Sequence, residues 1–504
     1  MFIGACVWII GAQFGVFDRF GRFAIAHSLM NFVMMGCCIG LGAAAATVRK
    51  SILLRRAIAA RIAAEALAEQ TARHDALTGL ANRRLFHESL EAALTKCAGA
   101  NGFAVIQIDL DRFKPVNDLH GHAAGNAVLC AVADRLHELL PAGSIAARLG
   151  GDEFVALVPF CGDREALTNL IKQMMAAVRR PIPWNHGHVD VDATIGVAFA
   201  TADDQDPDAL LHAADVAMYH GKRAGRGTFR FFHAEMDVAL KARARMETDL
   251  RAAISRGEIR PFYQPIVALP AQDLVGFEVL ARWDSPEHGP VPPDVFIPMA
   301  EETGMIGDLS GRVLRQACAD AQSWPHHLQM AVNISSEQLR DARFPVMLLG
   351  ILSESGFAPG RLEVEITESA LIKDAAAARA ALESLQKFGV RIALDDFGAG
   401  CSSLQHLREL RFNKIKIDRS YITNLEQGSE RAKLVDAIIQ IGGSLSLQTT
   451  AEGIEDDANL DWLSGQGCDF GQGYLFGRPM SKEDADSFIR IGKEAPIAPT
   501  ANAA

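Results

Sequence analysis

The sequence predicts an α/β protein in which an apolar, membrane-inserted N-terminus precedes two globular domains, the second a TIM-barrel-like array. Three observations carry this expectation. Residues 23–48 contain no Asp, Glu, Lys or Arg. At 504 residues the chain is too long for one ordinary domain. From about residue 248, short apolar runs alternate with helical stretches, and each run closes on a polar or charged residue.

The N-terminal segment comes first. A charge-free stretch such as 23–48 is long enough, as a helix, to cross a hydrocarbon core of about 30 Å. The stretch 1–17 is also uncharged but marginal in length, and Asp18-Arg19-Phe20-Gly21-Arg22 separates the two. The basic cluster RKSILLRR (49–56) belongs on the cytoplasmic side. The expected arrangement is a membrane region, 1–47, of two transmembrane helices with both ends inside. That is a multi-pass protein of the inner (cytoplasmic) membrane with its globular domains in the cytoplasm. A signal peptide in 1–17 is the competing reading, but the basic n-region is missing. Residues 48–73 carry Leu54, Ile58 and Ile62 at helical spacing. They form a linker helix, either solvated or paired with a second copy.

Bulk charge narrows the function. A net charge of −11 argues against non-specific binding to nucleic-acid backbones. It leaves room for a small phosphorylated ligand held through metal ions. Nine cysteines are present; only Cys37 and Cys38 are adjacent, and no C-x-x-C spacing occurs. They read as reduced thiols and poor zinc ligands.

The first globular domain, 74–232, is marked by four stretches: HDALTGLANRR, VIQIDLDRFKPVNDLHGHAAGNAVL (105–129), ARLGGDEFVAL (147–157) and ADVAMYHGKRAGRG (214–227). The second contains an apolar strand ending in Asp109 and Asp111. The third is a hairpin turning at Gly150-Gly151, with Asp152 and Glu153 beside the turn. Asp109 and Asp152 together could hold Mg²⁺ over a triphosphate. In this order the stretches resemble the GGDEF family of diguanylate cyclases. The resemblance implies a nucleotidyl-cyclase-like fold, with Asp109, Asp152 and Glu153 as metal ligands and Asn117 as a guanine contact. Lys222 and Arg226 would then meet phosphate. Two positions depart from the family. Asn126 stands where a carboxylate usually reads guanine, and an amide there turns a donor toward a donor. One unmade bond costs about 1–3 kcal/mol, roughly tenfold to a hundredfold in affinity. The family's inhibitory R-x-x-D falls at Pro141–Ser144, which has neither residue, so no product-feedback site is expected. FRFF (229–232) reads as a closing edge strand, and residues 233–247 as a helical connector.

In the second domain, 248–490, the strand ends supply Gln264, Glu278 with Arg282, Asn333, Glu365 with Glu368, Asp395 with Asp396, Lys416, Glu452 with Glu455, and Gln472. Repeated βα units with carboxylates on one rim describe a TIM barrel. Glu278, Glu365, Asp395, Asp396 and Glu452 would then converge on one mouth. Like charges so close raise one another's pKa unless cations compensate. Two divalent ions would do so, with the Asp395-Asp396 pair bridging them, and such centres perform in-line displacement at phosphorus. This series resembles the EAL family of cyclic di-GMP phosphodiesterases, with Glu278-Val279-Leu280 at the signature. The resemblance implies that Glu278, Asn333, Glu365, Asp395, Asp396 and Glu452 hold two Mg²⁺ or Mn²⁺ ions. Lys416 would orient or deprotonate the nucleophilic water. Gln264, Leu280, Arg282 and Gln472 would hold the dinucleotide. Glu368 and Glu455 would support the ligands, Glu368 by anchoring the loop after Asp396. Val279 is tolerable if it faces packing. Cys401 replaces a common aromatic in that loop, which bears on coupling between dimer partners. The Pro/Ala-rich tail, 491–504, should be disordered.

The leading expectation is a membrane-anchored, homodimeric phosphodiesterase that hydrolyses cyclic di-GMP to pGpG, with GTP and Mg²⁺ at the first domain as a regulator. The alternative is a diguanylate cyclase using two GTP, or a bifunctional enzyme. A silent receptor fits poorly, because no ligand of the metal set is lost.

Overall fold

The computed structural model describes residues 2–13, 16–96, 102–160, 162–185, 187–200, 206–398, 410–423, 425–426 and 428–491. Cys401 and the tail from 492 lie outside the described residues. The chain divides into two compact units, Met1–Lys241 and Ala242–Ala504.

The N-terminal helices differ from expectation. Helix α1 spans Phe2–Gln13 and α2 runs from Val16 to Arg73. Asp18–Arg22 therefore lies inside α2 instead of forming a turn. The 12 residues of α1 reach only roughly 18 Å at the helical rise, short of a hydrocarbon core. Among the described residues one helical segment, Met34–Ile62, is long and apolar enough to cross a membrane. The expected pair of spans is thus corrected to one candidate. Leu54, Ile58 and Ile62 stand exposed along α2.

The rest of the first unit is a six-stranded sheet. Its strands are β1 (Ala81–Asn82), β2 (Gly102–Asp111), β3 (Ile145–Gly150), β4 (Glu153–Phe160), β7 (Asp192–Ala200) and β8 (Phe229–Phe231), with β5 (Ile182–Trp184) and β6 (Gly187–Val189) forming a separate hairpin. The order is β1-β3-β4-β2-β7-β8, and β2 pairs antiparallel with both β4 and β7. Alternation along β2 builds two cores. Ile106 and Ile108 pack with Val128, Val132 and Ile171 on one face, while Val105 packs with Phe86, Leu90 and Leu210 on the other. Gly196 lets helix Pro207–Arg223 approach closely: a Cβ there would lie 2.0 Å from the Ala214 carbonyl oxygen.

The second unit is an eight-stranded barrel. Its strands are β9 (Ile259–Ala268), β10 (Asp273–Ser285), β12 (Gln329–Asn333), β13 (Leu362–Thr367), β14 (Arg391–Phe397), β15 (Lys414–Ile417), β16 (Gln448–Ala451) and β17 (Phe470–Gln472), with β11 (Gly289–Val291) on the outer side of β10. Pairing of β9 with both β17 and β10 closes it. From β10 to β17 neighbouring barrel strands are parallel, but β9 is antiparallel to both its partners. The uniform βα repeat is thus corrected at its first strand. Only residues 269–272 link β9 to β10, and a parallel connection needs about a dozen residues.

Inside the barrel the strand period of two stacks charged layers. Lys414 Nζ lies 2.6 Å from Glu363 Oε1, and Lys416 Nζ lies 2.7 Å from Glu365 Oε2, two residues further along each strand.

Candidate active site

The parallel strands of the barrel deliver their C-terminal residues to one mouth, and Lys416 is its centre. The side chain is 1% exposed. Its ammonium lies 2.6 Å from Glu452 Oε1, 2.7 Å from Glu365 Oε2, 3.6 Å from Asp395 Oδ1 and 3.8 Å from Glu278 Oε1. Glu278 is held at both oxygens: Asn333 Nδ2 donates to Oε1 at 2.6 Å and Gln472 Nε2 to Oε2 at 2.5 Å. Gln472 Nε2 also reaches Gln264 Oε1 at 3.2 Å, and Gln264 pairs in register with Glu278. Eight of the sequence-predicted residues thus meet in one network, buried at Gln264, Glu278, Glu365, Asp395, Lys416 and Gln472 and exposed at Asn333.

Strict alternation would send Asp395 and Asp396 to opposite faces. The register shift between Leu394 and Phe397 and a left-handed backbone at Asp396 (φ 53°) break that alternation. The Asp396 N–H then donates to Asp395 Oδ1 at 3.0 Å. Tyr421 fixes the exit of the turn by donating from its hydroxyl to the Gly398 carbonyl.

One cation among so many acids leaves an electrostatic deficit. Burial lifts Glu365 well above the usual carboxylate range, and Glu278 and Asp395 add to the effect. Burial likewise raises Glu452 to about 8, against the pull of Lys416. Burial and the neighbouring Asp395 carry Asp396 to about 6. Burial also opposes ionisation of Glu278, but Lys416 and the amides of Gln472 and Asn333 outweigh it and hold that carboxyl low. Burial works against the Lys416 charge, yet Asp395, Glu278, Glu365 and Glu452 together raise it well above an ordinary lysine.

This donor set fits hard divalent cations. It offers carboxylate and amide oxygens, the ligands Mg²⁺ and Mn²⁺ take. Glu365 Oε1 and Gln472 Oε1 are buried without a hydrogen-bond partner. A separate trio, Asp249, Glu287 and His288, also brings possible ligand atoms together, but it is mostly exposed.

The other expected residues are placed as follows. Val279 is buried in the core, so it faces packing. Leu280 and Arg282 are half-buried at the rim, and the Arg282 guanidinium lies 5.9 Å from the Phe262 ring centroid. Glu368 is buried in the first turn of helix Glu368–Lys373; the loop it would anchor falls outside the described residues from 399. Glu455 is exposed.

In the first unit, Lys222 Nζ pairs with Asp109 Oδ2 at 2.8 Å, and Asp109 lies opposite Glu153 in register. Burial raises Asp109, Lys222 opposes this, and Asp152 reinforces it. Arg226 approaches Asp111 at 4.0 Å. The Asn117 amide packs under Gly125, whose Cβ would fall 2.0 Å from Asn117 Oδ1; Asn126 is the next residue and is exposed. Sequence reasoning left Asp111 without a role. It accepts from Thr194 Oγ1 and the Gly227 N–H, each at 2.9 Å, and so ties down the turn carrying Arg226. No local signal could have found Thr194.

Comparison with known proteins identifies the two domains. The family described as "EAL domain" matches residues 247–479, and that described as "Diguanylate cyclase, GGDEF domain" matches 72–228. The chain is 38% identical over 419 residues to the bifunctional diguanylate cyclase/cyclic di-GMP phosphodiesterase MucR of Pseudomonas aeruginosa, covering 82% of this chain and 61% of that one. It is 35% identical to an uncharacterized Mycobacterium bovis protein, covering 84% and 69%. A solved S helix–GGDEF–EAL fragment of Vibrio cholerae LapD, bound to c-di-GMP, has the same fold at a TM-score of 0.51 and 18% identity, covering 83% of this chain and 100% of that one. The chain spans 57% and 53% of the length of the first curated relatives it matches.

Proposed function

Since the chain belongs to the family of tandem GGDEF–EAL proteins, we propose that it is a phosphodiesterase hydrolysing cyclic di-GMP to pGpG at the barrel mouth. The observation that carries the reading is the ring of Glu278, Glu365, Asp395 and Glu452 around Lys416, with Asn333 and Gln472 bonded to Glu278. Glu278, Asn333, Glu365, Asp395, Asp396 and Glu452 would hold two Mg²⁺ or Mn²⁺ ions. When bound, such ions supply charge stabilisation at phosphate oxygens and an acidified water.

The chain's own groups do the rest. Lys416, fixed as an ammonium by its carboxylates, donates a hydrogen bond and so orients the nucleophilic water; it is a poor base for it. Gln264, Leu280, Arg282 and Gln472 line the approach and hold the dinucleotide. Burial of the ring strengthens each electrostatic contact by excluding water.

A second reading has its own support. Asp109, Asp152, Glu153 and Lys222 stay gathered at the Gly150-Gly151 turn, and MucR carries both activities in its name. The first unit therefore binds GTP with Mg²⁺, as a regulator or as a residual cyclase acting as a homodimer. The α2 segment anchors the chain in the cytoplasmic membrane with both globular domains in the cytoplasm.

The test is incubation of the full chain in detergent with Mg²⁺ and either cyclic di-GMP or GTP, followed by chromatography. Formation of pGpG that disappears in Glu278→Ala supports the hydrolase. Cyclic di-GMP made from GTP without any pGpG overturns the ranking.

A further inference from the structure

Three of the strand ends that reach the mouth meet on a single turn of helix. β15 carries Lys416 and runs through Asp418 directly into the helix Arg419–Ile422. Asp418 starts that helix by accepting from the Ser420 N–H at 3.0 Å, and the Tyr421 N–H donates to the Asp418 carbonyl at 3.1 Å. On one side Gly453, the residue after Glu452, lies so close that a Cβ there would be 2.7 Å from Arg419 Cβ. On the other side the Tyr421 ring lies against Gly398, where a Cβ would be 3.3 Å from Tyr421 Cε2. The Tyr421 hydroxyl donates to the Gly398 carbonyl.

This last contact falls where the chain is least able to hold itself. Asp396 and Gly398 both have a left-handed backbone, at φ 53° and 99°. Only glycine takes that region freely, so Asp396 keeps it only while its surroundings hold it. Before Gly398 the turn is fixed by Phe397, which is buried and paired with Ile417. At Gly398 it is fixed by the phenol, on a ring that packs against the barrel core next to the fully buried Ile422. A phenylalanine ring would pack there equally well. Packing therefore explains the ring and leaves the hydroxyl unexplained.

We propose that Tyr421 is a positioning residue of the hydrolytic centre. By holding the Gly398 carbonyl, its hydroxyl fixes the left-handed turn that sets Asp395 and Asp396 beside Lys416. The inference rests on the phosphodiesterase reading and adds to it a group that is itself no metal ligand. Lys416 and Tyr421 belong to one continuous segment, so the lysine and the aspartate pair are held in register by the same few residues.

Tyr421→Phe removes the hydroxyl and keeps the ring, so the packing that folds the wild type is retained. The full chain in detergent is titrated with Mn²⁺ while calorimetry follows the melting of the second unit. Hydrolysis of cyclic di-GMP is assayed across the same titration. One hydrogen bond is worth about twofold to tenfold in affinity. The Mn²⁺ concentration that gives half the thermal gain should rise by that factor in the variant. The concentration for half-maximal hydrolysis should rise in step, with KM for the dinucleotide unchanged. An unchanged Mn²⁺ response overturns the proposal, whatever the variant's melting temperature in chelator. A rise in KM alone assigns Tyr421 to substrate binding and overturns it too. A wild type that gains stability with Mn²⁺ but forms no pGpG overturns the hydrolase reading instead. The difference in Mn²⁺ response between the two chains then still decides the role of Tyr421.

Discussion

Replacing Lys416 by Met removes the only ammonium from the ring while keeping most of the side-chain volume. In the folded chain Nζ makes two contacts of 2.6 and 2.7 Å and two longer ones of 3.6 and 3.8 Å. Breaking a buried charge network from one side costs about 3–5 kcal/mol, because the partners stay behind uncompensated. A unit of this size melts about 2–4 °C lower per kcal/mol. The unfolding transition of the second unit should therefore fall by roughly 6–20 °C in the presence of a chelator. Divalent ions should return part of this, since a ligand at a hundred times its dissociation constant adds about 2.7 kcal/mol. The gain on adding Mg²⁺ should be larger in Lys416→Met than in the wild type, because the ring then lacks its internal cation. Scanning calorimetry of both chains, with and without Mg²⁺, reads all of this. A variant that melts with the wild type in chelator, or that ignores Mg²⁺, refutes the electrostatic reasoning.

Other expectations follow from particular contacts. Asn126→Asp should tighten GTP binding by about tenfold to a hundredfold, read by fluorescent-nucleotide titration; unchanged affinity removes the guanine argument. Tyr263→Phe deletes a 2.6 Å bond from the buried hydroxyl to Asp320 Oδ2. Loss of a bond to a charged partner should cost about 1.5–3 kcal/mol in denaturant unfolding. Burial opposes ionisation of Asp75, but Thr78 and Arg148 outweigh it and hold its carboxyl low. A depressed carboxyl contributes stability above its unfolded pKa and loses it as pH falls through the folded one. The wild-type advantage over Asp75→Asn should thus be complete near neutrality and vanish in acid. An advantage that grows as pH falls would contradict this assignment.

How much was legible depended on the range of the signal. The strand ends could be read because apolar runs with period two stop at polar residues, and the sheet carries all those ends to one rim. Val279 could be assigned to packing from the same alternation. The antiparallel β9 was missed because residues 269–272 were read as part of a repeating pattern, although so short a link cannot cross a barrel. The continuity of α2 through Asp18–Arg22 was missed because charged residues interrupt an apolar run without breaking a helix. The left-handed backbone at Asp396 leaves no trace in residue type, since aspartate tolerates it without requiring it.

The charge balance inside the barrel supports reading its mouth as a site and not as a structural ion network. One layer down, Glu363 faces Lys414 at 2.6 Å and Arg391 at 3.5 Å, so the acid there is matched by bases. At the mouth, four carboxylates share one lysine, and Asp396 adds a fifth acid close by. Both layers are built from the same alternating strands, so the strands cannot account for the difference. Burying uncompensated acid weakens a fold unless something outside the chain completes the charge. The imbalance lies at the C-terminal rim of the barrel strands, the end at which barrels of this kind hold their sites. Neutralising the ring from within, by Glu452→Gln, should therefore raise thermal stability in chelator while abolishing hydrolysis. If stability falls along with activity, the ring is part of the framework and the deficit is not functional.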